Sequence, residues 1–166
     1  KPLDHREPSI IVAALESDIY TELICDGRHV HPSIVRLVLK TKGTEKVIGI
    51  TDSIMATGLK DGDYKLGINH VIVKDGDALL ASGGTRAGSI LTMDQVLRNM
   101  MQFTNKPIEA CIPLITKNPA TLLNIQDKKG EIVVGKDADL VLLNKDYMVD
   151  RTLVKGQTVY QRYEYK

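Results

Sequence analysis

Two apolar stretches, Glu22-Leu-Ile-Cys-Asp-Gly-Arg-His29 and Lys46-Val-Ile-Gly-Ile-Thr-Asp52, each end in a polar residue that is capable of chemistry. Between them, apolar residues recur at helical spacing in a segment that Pro32 opens and Gly43 closes. This pattern predicts a strand, a helix and a second strand, because parallel strands require such a crossover. Since α/β barrels carry their active sites at the carboxyl ends of the strands, we expect His29 and Asp52 to lie side by side.

The rest of the chain is predicted to combine helices with short strands. Ser9 is a candidate cap for a helix over residues 9–19, and Asp75-Gly76 is typical of a hairpin turn. Asn118-Pro119 is expected to separate two helices. The other predicted elements are a β-hairpin at 66–81, helices at 91–104, 107–116 and 120–124, and strands at 130–135, 138–143 and 151–161, the last turning at residues 155–157.

Bulk composition narrows the classes of function. With 166 residues and 43% hydrophobic content, the chain can bury a sizeable core, and its net charge of +1 gives no indication of nucleic acid or membrane as a partner. Cys25 and Cys111 lie in apolar stretches without metal-binding or redox spacing. They are therefore predicted to be buried reduced thiols, and the polar N-terminus carries no signal-peptide pattern, so a cytoplasmic location is expected.

The residues at the two strand ends each admit two interpretations. Asp52 follows a mostly apolar run, so its carboxylate is either a general base or the cap of a helix beginning at Ser53. His29 is either a substrate contact or a histidine hydrogen-bonded within its loop. His29 and His31 could also share a metal, but Pro32 indicates that His31 lies at the start of the helix.

Three further polar features are candidates for ligand binding. The glycine-rich loop Gly83–Ser89 precedes a predicted helix, where backbone amides can hold an anion, although an ordinary turn explains it as well. Arg6 could bind a phosphate or carboxylate bidentately, or be a surface arginine. His70 lies in the predicted hairpin, where a solvated surface position is favoured.

Taken together, several segments resemble the N-acetylglucosamine-6-phosphate deacetylases of the amidohydrolase superfamily. The resemblance extends over essentially the whole chain, in the order of the family. The Asp-Gly-x-His-Val and Ala-Gly-Ser-x-Leu-Thr-Met motifs are its most specific parts. The matching stretches are His5-Arg-Glu-Pro8, Ile24-Cys-Asp-Gly-Arg-His-Val-His-Pro32, Ile50-Thr-Asp-Ser53, Gly84-Thr-Arg-Ala-Gly-Ser-Ile-Leu-Thr-Met-Asp94, Asn118-Pro-Ala120 and Gly135-Lys-Asp-Ala-Asp-Leu-Val141.

The resemblance implies a fold and a division of the chain. The fold class is α/β: residues 1–125 would be the C-terminal part of a TIM-like (β/α)8 barrel with a β-hairpin insertion at 66–81. Residues 126–166 would be C-terminal strands of a small β-sandwich domain. Family members are more than twice this length, so the first barrel strands would lie outside this chain.

The resemblance also implies roles for individual residues. Asp52 matches the catalytic aspartate, which takes a proton from water and passes it to the leaving amine, and His29 matches a substrate-contacting histidine. Arg6 matches an arginine that reaches the sugar phosphate from the neighbouring subunit of a homodimer. Arg86, Ala87 and Gly88 match a loop that closes over the substrate through its backbone. The family usually has an apolar residue where Arg86 stands.

The resemblance implies a divalent metal of the zinc or iron class, held by a glutamate and two histidines. None of these ligands has a match here, so no metal residue is assigned within this chain, which is expected to be inactive by itself. Open strand edges further predict that the isolated chain associates. Two alternatives remain: another amidohydrolase, dihydroorotase-like or deaminase-like, or a non-catalytic module that binds an anion with its Gly83–Ser89 loop.

Overall fold

The computed structural model describes residues 3–162, and a short helix there precedes the predicted strand–helix–strand unit. Strands β1 and β2 are parallel, with Ile24 opposite Ile50. The predicted pairing is therefore confirmed, and the mixed helix and strand content confirms the α/β class. The elements of this part are α1 (Ile10–Glu16), β1 (Thr21–Ile24), α2 (Pro32–Lys42) and β2 (Val47–Ile50).

Helix α2 has the predicted bounds because local signals fix both of its ends. Pro32 occupies the first turn, and the His31 side chain accepts a hydrogen bond from the Ser33 amide at 3.2 Å. Gly43 follows the helix with a positive φ of 77°. Ser9 likewise caps α1, whose 10–16 span is shorter than predicted.

The main core lies where α2 and helix α3 (Met93–Thr104) pack against β1 and β2. Strand β2 approaches α3 so closely that Gly49 has no room for a side chain. A Cβ there would meet the Met100 methyl and would lie 3.0 Å from both Val96 Cγ1 and Ile115 Cγ2. Close packing of this kind fixes the position of β2, and so of the residues that follow it.

The predicted hairpin at 66–81 is instead a three-stranded antiparallel sheet made of β3 (Gly62–Leu66), β4 (Asn69–Lys74) and β5 (Asp77–Leu80). The Asp75-Gly76 turn is confirmed, with φ positive at both residues. The prediction was wrong in running one strand through Gly67 and in extending the turn at 60–63 over residues 62 and 63, which belong to β3. Gly67 has a φ of 60° and starts the turn between β3 and β4.

The helices after α3 differ from prediction near Pro119. The predicted 107–116 helix is a short α4 (Ile108–Cys111) followed by a 3₁₀ turn (Ile112–Ile115), and α5 (Lys117–Leu122) contains Pro119. Proline is tolerated there because the first turn of a helix has no internal acceptor for its missing amide. The buried Asn118 side chain donates to the carbonyls of Thr44 and Val47, both at 2.7 Å.

The last described elements form a second antiparallel sheet, β6 (Leu140–Leu143), β7 (Val149–Val154) and β8 (Gln157–Gln161). The turn at 155–156 is confirmed, but the predicted strand at 130–135 is wrong, because that segment consists of bends, irregular backbone and a turn. No side chain between residues 121 and 162 is buried. Within residues 3–162, every helix is too short or too polar to cross a membrane.

Candidate active site

A cleft of about 360 Å³ opens beside the carboxyl end of β1. Its walls come from three segments that are distant in sequence: the loop after β1, the start of β5 and the stretch that leads into α3. Gln95 and Asn99 of α3 complete the lining. The segments contribute Asp26, Arg28 and His29; Gly76–Ala78; and Ser89–Thr92.

His29 is held in this cleft by Asp26. Its ring nitrogen Nδ1 lies 2.6 Å from Asp26 Oδ2, while Asp26 Oδ1 accepts the amides of Arg28 and His29, both at 2.8 Å. Burial alone would raise the pKa of Asp26, but these hydrogen bonds lower the pKa overall. The ionised carboxylate favours a proton on Nδ1, which leaves Nε2 of the neutral ring as an acceptor.

Asp52 follows β2 at the same edge, in a left-handed conformation with a φ of 49°. Its carbonyl accepts the Ser89 amide at 2.8 Å, and the Ile54 amide donates to the Ser89 carbonyl at the same distance. The side chain is exposed. The helix-cap interpretation is wrong, because no helix begins at Ser53 and residues 53–61 form a bridge and turns.

Gly88 lies directly against Asp52. Its φ is 64°, and a Cβ there would stand 2.9 Å from the Asp52 carbonyl oxygen and 2.7 Å from Ile54 Cγ2. The two cross-strand hydrogen bonds of Ser89 therefore require the close approach that only glycine permits. Glycine at position 88, next to the Asp52 carboxylate, is thus required by the backbone geometry and not by a side-chain contact.

The loop 83–89 is tied to β5 rather than left with open amides. Ala87 N–H donates to the Ala78 carbonyl at 2.9 Å, Gly84 N–H to Leu80 at 3.0 Å, and Leu80 N–H to Thr85 at 2.7 Å. Helix α3 starts only at Met93. An anion site at this loop would need free backbone amides, and these hydrogen bonds already use the amides of Gly84 and Ala87.

Asp77 draws two arginines to the mouth of the cleft, a feature that the sequence did not indicate. Arg86 binds its carboxylate through Nε at 3.1 Å and Nη2 at 2.9 Å, and Arg28 Nη1 lies 3.3 Å away. Burial raises the pKa of Asp77, but the Arg86 hydrogen bonds and both positive charges lower the pKa overall. The sequence singled out Arg86, whereas Arg28 and Asp77 carry no local motif.

A chain of hydrogen bonds along α3 supports the floor of the cleft. The sequence did not indicate this chain either. Asn99 Nδ2 donates to the Cys25 carbonyl at 2.7 Å, and Gln95 Nε2 to Asn99 Oδ1 at 2.7 Å. Arg98 then binds Gln95 Oε1 at 2.7 Å and the Tyr147 carbonyl at 2.9 Å. The strand end that precedes Asp26 is thereby linked to the loop between β6 and β7.

The other candidates fall outside the cleft. Arg6 is exposed and its backbone amide donates to Asp4 Oδ1 at 2.8 Å, and His31 is used as the cap of α2. His70 is exposed, and Cys25 and Cys111 are buried free thiols, as predicted. Burial raises the pKa of the Cys25 thiol to about 12, with further contributions from Asp26 and Cys111.

A second cleft, of about 490 Å³, lies beside α5 and has many charged groups in its walls. These charges neutralise one another: Glu131 binds Lys117 at 3.0 Å and Lys136 at 2.9 Å, and Lys129 binds Asp137 at 2.9 Å. The second cleft therefore presents paired charges, whereas the first cleft holds an imidazole that Asp26 orients. Asp52 follows the strand paired with β1 but is not among the residues that line the first cleft. The first cleft is the candidate active site.

Comparisons with known proteins agree over nearly the whole chain. It is 46% identical to an N-acetylglucosamine-6-phosphate deacetylase of Bacillus subtilis over 96% of the chain and 40% of the relative. It is 35% identical to an N-acetylgalactosamine-6-phosphate deacetylase of Escherichia coli O157:H7 over 93% of the chain and 41% of that protein. The chain thus spans about 40% of the length of the curated relatives it matches first.

Structural comparison gives the same group of proteins. The crystal structure of N-acetylglucosamine-6-phosphate deacetylase from Thermotoga maritima superposes with a TM-score of 0.90 at 42% identity, over 98% of this chain and 44% of that one. The sequence profile of the Amidohydrolase family matches residues 4–159. With nearly the whole chain matched by the profile and by solved structures, we conclude that the chain belongs to the amidohydrolase family.

Proposed function

We propose that the complete protein carrying this chain hydrolyses N-acetylglucosamine 6-phosphate to glucosamine 6-phosphate and acetate. The observation that carries the proposal is the parallel pairing of β1 and β2, with Ile24 opposite Ile50, since it brings the ends that carry His29 and Asp52 to one edge. The names of the relatives supply the substrate, and the 46% identity to the Bacillus subtilis protein favours the glucosamine sugar.

We further propose that residues 1–125 are the C-terminal part of a TIM-like (β/α)8 barrel, with the β3–β5 sheet as the predicted insertion. Residues 126–166 would then be C-terminal strands of a small β-sandwich. A parallel pair with a crossover helix is the repeating unit of such a barrel, and the lack of buried side chains in residues 121–162 supports a sheet that another part of the protein covers.

Members of this family generally use a divalent metal. Residues 3–162 contain no group of three or more histidine, cysteine, aspartate or glutamate side chains arranged to hold one. The described residues therefore do not fit a metal centre. We propose that a zinc- or iron-class ion is held by residues outside this chain, which is then inactive by itself even with added zinc.

In this proposal Asp52 carries the proton. Amide hydrolysis adds water to the carbonyl carbon and breaks the carbon–nitrogen bond, so a proton must leave the water and reach the departing amine. An exposed carboxylate at a strand end can accept this proton from the water and deliver it to the departing amine. The left-handed backbone at Asp52, fixed by its bond to the Ser89 amide, sets the direction in which the side chain leaves the main chain.

His29 and the loop 86–88 bind the substrate in this proposal. With Nδ1 facing Asp26, the His29 ring presents Nε2 to a sugar hydroxyl or to the acetamide. Ala87 and Gly88 contact the sugar through their backbone, and Arg86 belongs to the same loop. Arg6 is exposed and outside the cleft, and in a homodimer it would reach the phosphate of the sugar bound to the neighbouring subunit. The buried reduced thiols of Cys25 and Cys111 support a cytoplasmic location.

Acetate release by the complete protein tests this function. We expect hydrolysis of N-acetylglucosamine 6-phosphate to exceed that of N-acetylgalactosamine 6-phosphate and of unphosphorylated N-acetylglucosamine. Asp52→Asn should lower kcat by about 10²–10⁴-fold, the usual contribution of a positioned acid–base group. Asp63→Asn, an exposed aspartate on β3, is the matched control and should leave kcat unchanged.

Two results would contradict the proposal. Absence of acetate release from every sugar phosphate would favour a different amidohydrolase reaction or a non-catalytic module. Equal activity of Asp52→Asn and Asp63→Asn would remove Asp52 from the chemistry while leaving the substrate assignment intact.

A further inference from the structure

One carboxylate at the mouth of the cleft joins two segments that approach it from opposite sides. Asp77, the first residue of β5, binds Arg28 from the loop after β1 and Arg86 from the loop before Gly88. Its side chain is only 16% exposed, whereas both arginines are about 40% exposed. We refer to Arg28, Asp77 and Arg86 as the arginine clamp.

The geometry of the arginine clamp is specific. Arg86 contacts both carboxylate oxygens, with Nε 3.1 Å from Oδ1 and Nη2 2.9 Å from Oδ2. Arg28 places Nη1 3.3 Å from Oδ2 and donates Nη2 to the Asp75 carbonyl at 2.8 Å. A planar fork on a carboxylate fixes direction as well as distance, which a lysine could not do.

Each arginine is adjacent in sequence to a group of the proposed reaction. Arg28 immediately precedes His29, whose ring Asp26 orients. Arg86 stands two residues before Gly88, which lies against the backbone of Asp52. The clamp therefore connects, through a single side chain, the segment that carries His29 with the segment that contacts Asp52.

We propose that Asp77 is a positioning residue that fixes His29 relative to Asp52 by holding Arg28 and Arg86 together. The proposal rests on the proposed hydrolysis, whose reacting groups it aligns. In this proposal Asp77 acts through the two arginines and not by contact with the reacting atoms. Each guanidinium gives two of its five donors to these partners, Arg86 to Asp77, and Arg28 to Asp77 and the Asp75 carbonyl, and these bonds join the two segments.

The energetics distinguish alignment from global stability. Ion pairs with arginines this exposed contribute little to folding, so breaking the clamp should hardly change the unfolding midpoint. A shift of about 1 Å in a catalytic group can cost up to a hundredfold in rate. A positioning role therefore predicts a kinetic defect that is much larger than the stability defect.

The experiment uses the complete protein with Asp77→Asn, Arg86→Leu and the double variant. Asp77→Asn should lower kcat by about tenfold to a hundredfold with a smaller change in KM. The double variant should be no worse than the worse single one, because both remove the same contact. Asp77→Glu, which keeps the charge, should recover part of kcat. Glu131→Gln is the matched control, since Glu131 is also shared by two cations but lies outside the cleft.

Hydrogen exchange provides a readout that does not depend on activity. The amides of Gly84 and Ala87, bonded to β5, should exchange faster in Asp77→Asn and at the wild-type rate in Glu131→Gln. Wild-type exchange and wild-type kcat in Asp77→Asn would overturn the clamp. If the wild-type protein hydrolyses neither sugar phosphate, the proposed function fails, and exchange that is unchanged in Asp77→Asn would still overturn the clamp separately.

Discussion

The parallel pair β1–β2 and the antiparallel sheet β6–β8 are both built from short apolar strands, but they differ in what covers them. Val47 of β2 is 0% exposed, because it packs in one core with side chains of α2 and α3. Val141 of β6 and Val159 of β8 are 57% and 61% exposed. Strand formation and burial are thus separate properties, and only the first pair has the partners that supply both.

Thiol reactivity gives the largest contrast between these regions. In the 166-residue chain, the thiol of Val159→Cys should react with a disulfide reagent at pH 8 at least about a thousandfold faster than Cys25 and Cys111. The buried thiols react only after the structure opens. The raised pKa of Cys25, about 12, slows it further. Labelling rates by absorbance give the measurement, with the unfolded chain as the fully reactive control.

The same variant in the complete protein sharpens the comparison. If another part of the protein covers β6–β8, as the proposed β-sandwich requires, the rate at Val159→Cys should fall towards that of the buried thiols. An unchanged fast rate would mean that the sheet stays uncovered, and rapid labelling of Cys25 would break the contrast itself.

Truncating one side chain in each region gives the next largest effect. Leu114 is fully buried in the core against β2, so Leu114→Ala should lower the free energy of unfolding by about 2–5 kcal/mol. Val159→Ala should change it by about 0.5 kcal/mol or less. Urea unfolding followed by circular dichroism makes the comparison, and equal losses would show that both regions share one buried core.

Acid sensitivity separates the regions by the smallest effect. The pKa of Asp26 is lowered below its ordinary 3.8, despite burial, by hydrogen bonds from His29 and Arg28. Its stabilisation is present above pH 3.8 and is lost as the pH falls from there through the lower pKa of the folded state. Lys129 and the Lys155 amide similarly lower the pKa of Asp139, which is more exposed.

Asp26→Asn should therefore reduce the loss of folding stability at low pH more than Asp139→Asn does, because solvent screens the exposed Asp139–Lys129 pair. Urea midpoints over a pH series, at low and high salt, test this. A larger effect at Asp139 would reverse the ranking of the two regions.

Elements bounded by local signals were predictable from the sequence. Pro32 and Gly43 determine the bounds of α2 without reference to the rest of the chain, and Asp75-Gly76 has the left-handed pair that its turn requires. The parallel pairing of β1 and β2 followed from the length of the connection between them, which is a property of the chain rather than of its packing.

Elements that depend on partners were not predictable. Residues 132–134 are β-branched and apolar, but a strand also needs a neighbour to pair with, and that segment consists of irregular backbone and a turn. Conversely, the Asp61-Gly62-Asp63 run is polar, yet residues 62–66 pair with β4. Pairing energy decided both cases against local propensity.

The candidate site shows the same division. Asp52 and His29 were identifiable because each follows an apolar run, whereas Asp77 is an acid after a turn with nothing local to mark it. Its significance comes from Arg28, which is 49 positions away in the chain. Contacts over such separations are set by tertiary packing, which a single sequence does not display.

The tight approach of Gly49 to Met100 has a consequence for how this family can vary. Because a Cβ at position 49 would collide with the Met100 methyl, the two positions share one small volume. A descendant that gains a methyl group at 49 must turn the flexible Met100 side chain aside, shorten the side chain at 100, or pass through an overpacked intermediate. Substitutions at these positions should therefore covary across homologues, with alanine or serine at 49 accompanied by a shorter residue at 100.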